Sequence, residues 1–242
     1  MFGENNGKPP LVFIHGAGGR KEIWSLVAKR LLPLAPAWPL VLVDLPGHGQ
    51  SPLPGHATID DYADVILDLA DKQGWDAFAL GGHSMGGAIA QCVAARQPQR
   101  VSHLILAATG GRIPVAPVLF DLLPEQSEAV VVLIKEWGFG PNAPAILVDR
   151  AMAPMAQVDG VVMREDMAAC RDWEAGDRLQ AITAKTLVVA AELDMMVKPK
   201  IARDLAESIT DARFETLAET GHMMTIEADK ELARLIAAFL AE

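Results

Sequence analysis

Cysteine is almost missing from this chain, and the two that occur, Cys92 and Cys170, are too few for a disulfide framework. They form no C-x-x-C spacing, so neither a thiol redox centre nor a cysteine-ligated metal is implied. The scattered histidines make no compact ligand pattern either, and no metal is expected. Positive charge is scarce as well. Lys and Arg number 21 against 31 Asp and Glu, a formal net charge of -10. Such a surface repels nucleic acid and anionic membranes, and neither is an expected partner. No uninterrupted apolar run reaches membrane-spanning length. No basic, apolar and cleavable leader stands at the N-terminus, which makes the cytoplasm the expected compartment. Internal repeats are absent too.

What is present is a chain of 242 residues, 51% of them apolar, enough for the core of one large α/β domain with an insertion. After a polar lead over residues 1–10, short apolar runs alternate with helical patterns. Leu11–Ile14, Leu40–Val43, His103–Ala108, Thr186–Ala191 and Arg213–Leu217 read as strands, most of them without polar alternation, as expected of a parallel sheet covered on both faces. Helices are expected from Glu22 to about Leu34, from Thr58 to about Gln73, from Pro199 to about Ser208 and from Asp229 to Leu240. Thr58 with Asp61 fits a capping box.

The chain is organised around Gly82-His83-Ser84-Met85-Gly86, which joins an apolar strand to an apolar-striped helix. This is the G-x-S-x-G pattern, whose glycines let strand, strained serine and helix meet within a few residues. A serine hydroxyl is a poor nucleophile alone, so the pattern calls for a histidine base and a carboxylate from elsewhere. The order Ser84, Asp194, His222 supplies them, each in a segment close to the carboxyl edge of the sheet. Glu192 competes with Asp194 for the acid role. Asp194 is preferred because it lies further out on the loop and has the shorter side chain. The turn His15-Gly-Ala-Gly-Gly19 offers backbone N–H groups, so Ala17 and Met85 are the expected oxyanion-hole donors. Asp44 reads as a turn-fixing carboxylate. His48 and His56 read as loop histidines with no local carboxylate to orient them, and His83 as a brace for the elbow.

Between residues 112 and 178 the strand-helix alternation stops. Prolines, apolar stretches and Trp137, Phe139 and Trp173 suggest a helical insertion, with helices near residues 115–123, 125–137, 143–153 and 158–169. It follows a strand at the catalytic edge, so it is expected to form a lid over Ser84, with an apolar wall for substrate somewhere beneath it.

Taken together, HGAGG at residues 15–19, DLPGHGQS at 44–51, GHSMGG at 82–87, AELD at 191–194 and GH at 221–222 resemble the α/β-hydrolase superfamily, in its lidded branch of small esterases and related hydrolases. The likeness covers nearly the whole chain. It implies a mostly parallel sheet of about six strands, a core of residues 1–111 and 179–242, and a lid of residues 112–178. Many relatives open with an antiparallel strand pair, for which too few residues precede Leu11. By the resemblance Ser84 is nucleophile, Asp194 acid and His222 base, with Ala17 and Met85 at the oxyanion hole and no cofactor. A serine at position 84 argues against dehalogenases and epoxide hydrolases, which carry Asp there. The implied substrate is a small apolar acyl compound, a carboxylic ester first. Carbon-carbon bond hydrolases for vinylogous diketones are the main alternative, although they often carry Asn where this chain has His83. Lactonase, thioesterase, perhydrolase and non-catalytic receptor roles are further alternatives.

Overall fold

The computed structural model describes residues 9–242 except Leu53; most of the polar lead lies outside the described residues. Six strands form one parallel sheet in the order β2-β1-β3-β4-β5-β6: β1 (Leu11–Ile14), β2 (Leu40–Val43), β3 (Phe78–His83), β4 (Val101–Ala107), β5 (Lys185–Ala191) and β6 (Arg213–Leu217). Among the described residues ten α-helices accompany them. They are α1 (Ser25–Leu31), α2 (Ile59–Lys72), α3 (Met85–Arg96), α4 (Pro117–Leu122), α5 (Ser127–Gly138), α6 (Ala145–Met155), α7 (Gly160–Asp172), α8 (Pro199–Glu207), α9 (Met224–Glu227) and α10 (Asp229–Leu240). Among the described residues no helix is long and apolar enough to cross a membrane.

Apart from the edge strand β6, with its Arg213 and Glu215, the strands lack regular polar alternation because both faces of the sheet are covered. Successive side chains point to opposite faces, so Val12 and Ile14 join the core beneath α2, α3 and α8, while Leu11 and Phe13 join the core beneath α1 and α10. Each core is closed by a helix stripe, Ile66 and Ile89 on one side, Val27 and Ile236 on the other.

Local rules set several helix ends. The Thr58 side chain accepts from the Asp61 N–H at 3.1 Å and starts α2. Only half of the capping box forms, because the Asp61 carboxylate accepts the Thr58 hydroxyl instead of a backbone N–H. The first helix is shorter than its apolar pattern suggests. It enters through a 3-10 turn at Lys21–Trp24 and ends at Leu31, where Pro33 supplies no N–H for continuation.

Helices α4 to α7 lie between β4 and β5, within about two to three residues of the positions expected from sequence. They bury a core of their own, built on Leu119, Val130, Ile134, Met152 and Met163. An antiparallel bridge between Arg112 and Glu174 draws the two ends of the insertion together. Trp173 packs into the main core, not the insertion's.

Candidate active site

Parallel strands end on the same side, and four of these ends supply the site: the loop after β1 with residues 15–19, the β3–α3 junction at Ser84, the β5 loop with Asp194 and the β6 loop with His222. This is the edge at which open α/β sheets bind ligands.

Ser84 stands between β3 and α3 with φ 54° and ψ -119°, a left-handed conformation that costs a non-glycine residue of order 1–3 kcal/mol. The surroundings hold it there. Its N–H donates to the Ala107 carbonyl at 3.0 Å, and its carbonyl accepts from Gly87. Neighbouring glycines are required by close backbone approach. A β-carbon on Gly82 would stand 2.1 Å from the Gly86 carbonyl oxygen, and one on Gly86 2.4 Å from that of Ile14. Gly86→Ala is therefore expected to lower stability by about 1–3 kcal/mol or more, since backbone must move. Thermal unfolding checks this, and an unchanged melting temperature would mean the turn is not this tight.

His222 Nδ1 donates to Asp194 Oδ2 at 2.8 Å, and both residues are buried. The other oxygen, Oδ1, accepts from the N–H groups of Met196 and Val197, each at 2.8 Å. The carboxylate is thus fixed by its own loop and holds the ring in turn. Glu192 points elsewhere and accepts from the Glu219 N–H at 2.9 Å. Behind the imidazole, His83 Nε2 donates to the His222 carbonyl at 2.9 Å, so His83 braces the histidine loop as well as ending β3. Burial, then the nearby His222, lowers the His83 pKa to about 3, and its ring is neutral.

A cavity of about 300 Å³ opens over these groups, lined by Ala17, Ser84 and His222 from the core and by residues including Ile134, Met155 and Met167 from the insertion. The Ser84 hydroxyl makes no hydrogen bond among the described residues, and it lines one cavity with His222; catalytic hydrogen bonds are often long without substrate and tighten when it binds. Nor do the N–H groups of Ala17 and Met85 make one among the described residues, which leaves both free to receive an oxygen. The cavity's lining is largely aliphatic and methionine, with Arg20, Glu22 and Arg150 also on it, and Trp137 and Trp173 are not part of it.

Asp44 fixes its turn as expected, accepting from the Lys21 and Gln50 N–H groups and pairing with Lys21 Nζ. His48 differs. Its Nε2 donates to Asp166 Oδ2 at 2.9 Å, a carboxylate brought from α7, far along the chain. Asp166 is fully buried and also accepts from Gly18 N–H and Tyr62 hydroxyl. The sequence does carry a signal for it: Asp166 shares the buried stripe of α7 with Met163, Met167 and Cys170. A second unforeseen carboxylate, Glu227, accepts from Gly140 N–H at 2.8 Å and Gly221 N–H at 3.1 Å, joining the insertion to the loop that carries His222. Burial holds the Glu227 carboxyl above its ordinary pKa.

Fold and site together have the form of an α/β hydrolase. The chain matches the model of the alpha/beta hydrolase family over residues 11–235 and belongs to that family. It is 38% identical over 257 residues to the dihydrolipoyllysine-residue acetyltransferase component of an acetoin cleaving system from Cupriavidus necator, covering 96% of this chain and 64% of that one. The chain thus spans somewhat less than two thirds of that relative's length. It is 26% identical to 2-hydroxymuconate semialdehyde hydrolase from Pseudomonas sp. strain CF600, covering 96% of this chain and 87% of the other. In fold it is similar to the enol-lactonase of Burkholderia xenovorans LB400, with a TM-score of 0.91 and 22% identity, covering 99% of this chain and 94% of that one.

Proposed function

We propose that the protein is a serine hydrolase that cleaves small or medium apolar carboxylic esters through an acyl-enzyme. Ser84 is the nucleophile, His222 the general base and then acid, and Asp194 the group that orients the imidazole. The observation that carries this reading is the 2.8 Å bond from His222 Nδ1 to Asp194 Oδ2, behind an imidazole that shares one cavity with a serine held at positive φ. That bond leaves Nε2 unprotonated and free to take the Ser84 proton.

As Oγ attacks the ester carbonyl carbon, the proton passes to His222 Nε2 and the carbonyl oxygen becomes an oxyanion between the N–H groups of Ala17 and Met85. Collapse breaks the carbon–oxygen bond, and the departing alkoxide takes the proton from Nε2. Water, deprotonated by the same nitrogen, then hydrolyses the acyl-enzyme. The insertion acts as a lid whose aliphatic and methionine side chains cover the acyl chain. Methionine suits a wall that accepts several chain shapes.

Carbon-carbon hydrolysis is the second reading, supported by the semialdehyde hydrolase among the relatives. Against it stands His83 at the position where that branch often has Asn. Purified protein is expected to turn over apolar esters faster than vinylogous diketones, without added metal and without loss on chelation. Measuring kcat/KM for both classes on one preparation tests this; a diketone advantage above about a hundredfold, roughly 2.7 kcal/mol, would overturn the ester reading while sparing Ser84. A thiol can discharge an acyl-enzyme as water does, so dihydrolipoamide belongs in the same panel as acceptor. Hydrolysis is expected to remain the main fate.

A further inference from the structure

Asp166 is an unusual residue to find where it is. Its side chain is fully buried on the inner stripe of α7, between methionines, where an ionised carboxylate is tolerated only when its charge is paired and its oxygens are hydrogen-bonded. Three donors from three separate segments provide this. Oδ2 accepts from the Gly18 N–H at 2.7 Å and from His48 Nε2 at 2.9 Å, and Oδ1 accepts from the Tyr62 hydroxyl at 2.6 Å. The other ring nitrogen of His48 faces the Pro46 carbonyl oxygen at 2.9 Å. Both nitrogens therefore face acceptors, the arrangement of a doubly protonated imidazolium. Burial opposes that charge, but the bond and charge of Asp166 prevail and raise the His48 pKa. His15, whose ring centroid is 4.9 Å from that of His48, stays neutral: burial and then His48 lower its pKa to about 4. Asp44 is engaged with Lys21.

The partner with the greatest consequence is Gly18. It sits at φ 61°, in a turn closed by the Gly19 N–H to Gly16 carbonyl bond of 3.0 Å. Helix α7 packs directly on it: a β-carbon there would stand 2.5 Å from Met163 Cε. The residue before it is Ala17, whose own N–H makes no hydrogen bond among the described residues. Holding the Gly18 N–H fixes the peptide plane on the carboxyl side of Ala17, and with it the rotation of the loop.

We propose that Asp166, carried by the insertion, is a positioning residue for the oxyanion site: it grips the Gly18 N–H and so aims the free Ala17 N–H into the cavity. The inference rests on the acyl-enzyme reading above. Its chemical content is that stabilisation of the oxyanion depends on a carboxylate that touches neither substrate nor triad. A mere tether for the insertion would affect all ligands of the cavity alike. A positioning residue affects the oxyanion-bearing state above the ground state.

Two ligands of equal chain length separate these cases. An alkyl trifluoromethyl ketone adds Ser84 Oγ to its carbonyl carbon and places the resulting oxyanion in the hole. The matching secondary alcohol fills the cavity without one. Asp166→Leu is expected to weaken ketone binding by about 10- to 100-fold, less than or comparable to removing an oxyanion donor outright, while alcohol binding changes by less than about twofold. Asp166→Asn, which keeps an amide oxygen for Gly18, is expected to retain most of the ketone affinity. Tyr62→Phe, which removes the bond to Oδ1 and the one the hydroxyl accepts from the His56 N–H but leaves the Gly18 bond in place, should do the same. Equal losses for ketone and alcohol, or an unaltered ketone affinity in folded Asp166→Leu, would overturn the proposal.

A measurement on the unaltered protein stands beside these in case the leucine variant does not fold. On adding the ketone, the amide proton resonances of Ala17 and Met85 are expected to move downfield while that of Gly18, already bonded, stays in place. Movement of Gly18 in place of Ala17 would overturn the proposal. Absence of Ser84-dependent ketone binding in the parent protein would reject the acyl-enzyme reading itself, and the inference with it.

Discussion

Ser84→Ala is expected to reduce kcat by at least about three orders of magnitude and to abolish covalent acyl-enzyme, with the fold intact. The fold should survive because the Ser84 hydroxyl bonds to no described residue, so its removal orphans no partner. Alanine carries a β-carbon at the same φ of 54°, so the strain of the turn is neither relieved nor increased. Ser84→Gly would relieve it, and is expected to be the more stable of the two by roughly 1 kcal/mol or more. Burst kinetics, fluorophosphonate labelling and thermal unfolding of both variants check the three statements. Near-normal turnover by a folded, uncontaminated alanine variant would reject Ser84 as the nucleophile.

The second large effect belongs to Asp194→Asn, expected to slow acylation by at least about two orders of magnitude. The reason lies in how the carboxylate is used. Oδ1 is held by two backbone N–H groups and Oδ2 accepts from His222 Nδ1. An amide in this position will keep its oxygen on the two N–H groups and turn its NH₂ toward the ring. Nδ1 must then become an acceptor, which moves the ring proton to Nε2, the nitrogen that should receive the Ser84 proton. Position is preserved and the tautomer is wrong. Glu192→Gln is the internal comparison. Among the described residues its side chain holds only the exposed Glu219 N–H, and a loss below about threefold is expected, since the change removes no bond to the imidazole. If the Glu192 variant at matched stability lost more activity than the Asp194 variant, the acid would have been assigned to the wrong side of the turn.

What the sequence made legible was governed by local physics. Strands such as Leu11–Ile14 were visible because a sheet covered on both faces demands uninterrupted apolar runs. The elbow was visible because a positive-φ residue between strand and helix leaves little choice but glycine on either side. Asp194 and His222 followed from chain order. Their mutual bond spans loops after adjacent strands, and the parallel sheet brings such loops together. The helices of the insertion were legible from their stripes, but not the contacts they make. The Asp166 bonds reach Gly18 and Tyr62, 148 and 104 residues away along the chain, and no local pattern encodes such pairing. A carboxylate within a methionine stripe is the one trace it leaves. Trp173 misled for a related reason. Composition located an aromatic in the insertion, but packing drew it into the main core. The short helix α9 and the 3-10 turn at Gly176–Ala181 are too brief to generate a period.

Glu227 bears on how such a protein could be re-engineered. One of its oxygens accepts both the Gly140 N–H of the insertion and the Gly221 N–H beside His222, and the Met223 N–H adds a bond to the Gly138 carbonyl. The insertion is therefore not an interchangeable module. A chimera that grafts a different helical segment between β4 and β5, to broaden chain-length range, inherits the new cavity wall but forfeits the seam along 138–140 unless the graft presents a backbone donor where Gly140 stands. Without that donor the loop bearing His222 loses one of its fixed points. Grafts chosen for wall chemistry alone should then fail in catalysis before they fail in binding, so a donor at the seam is the first criterion for selecting them.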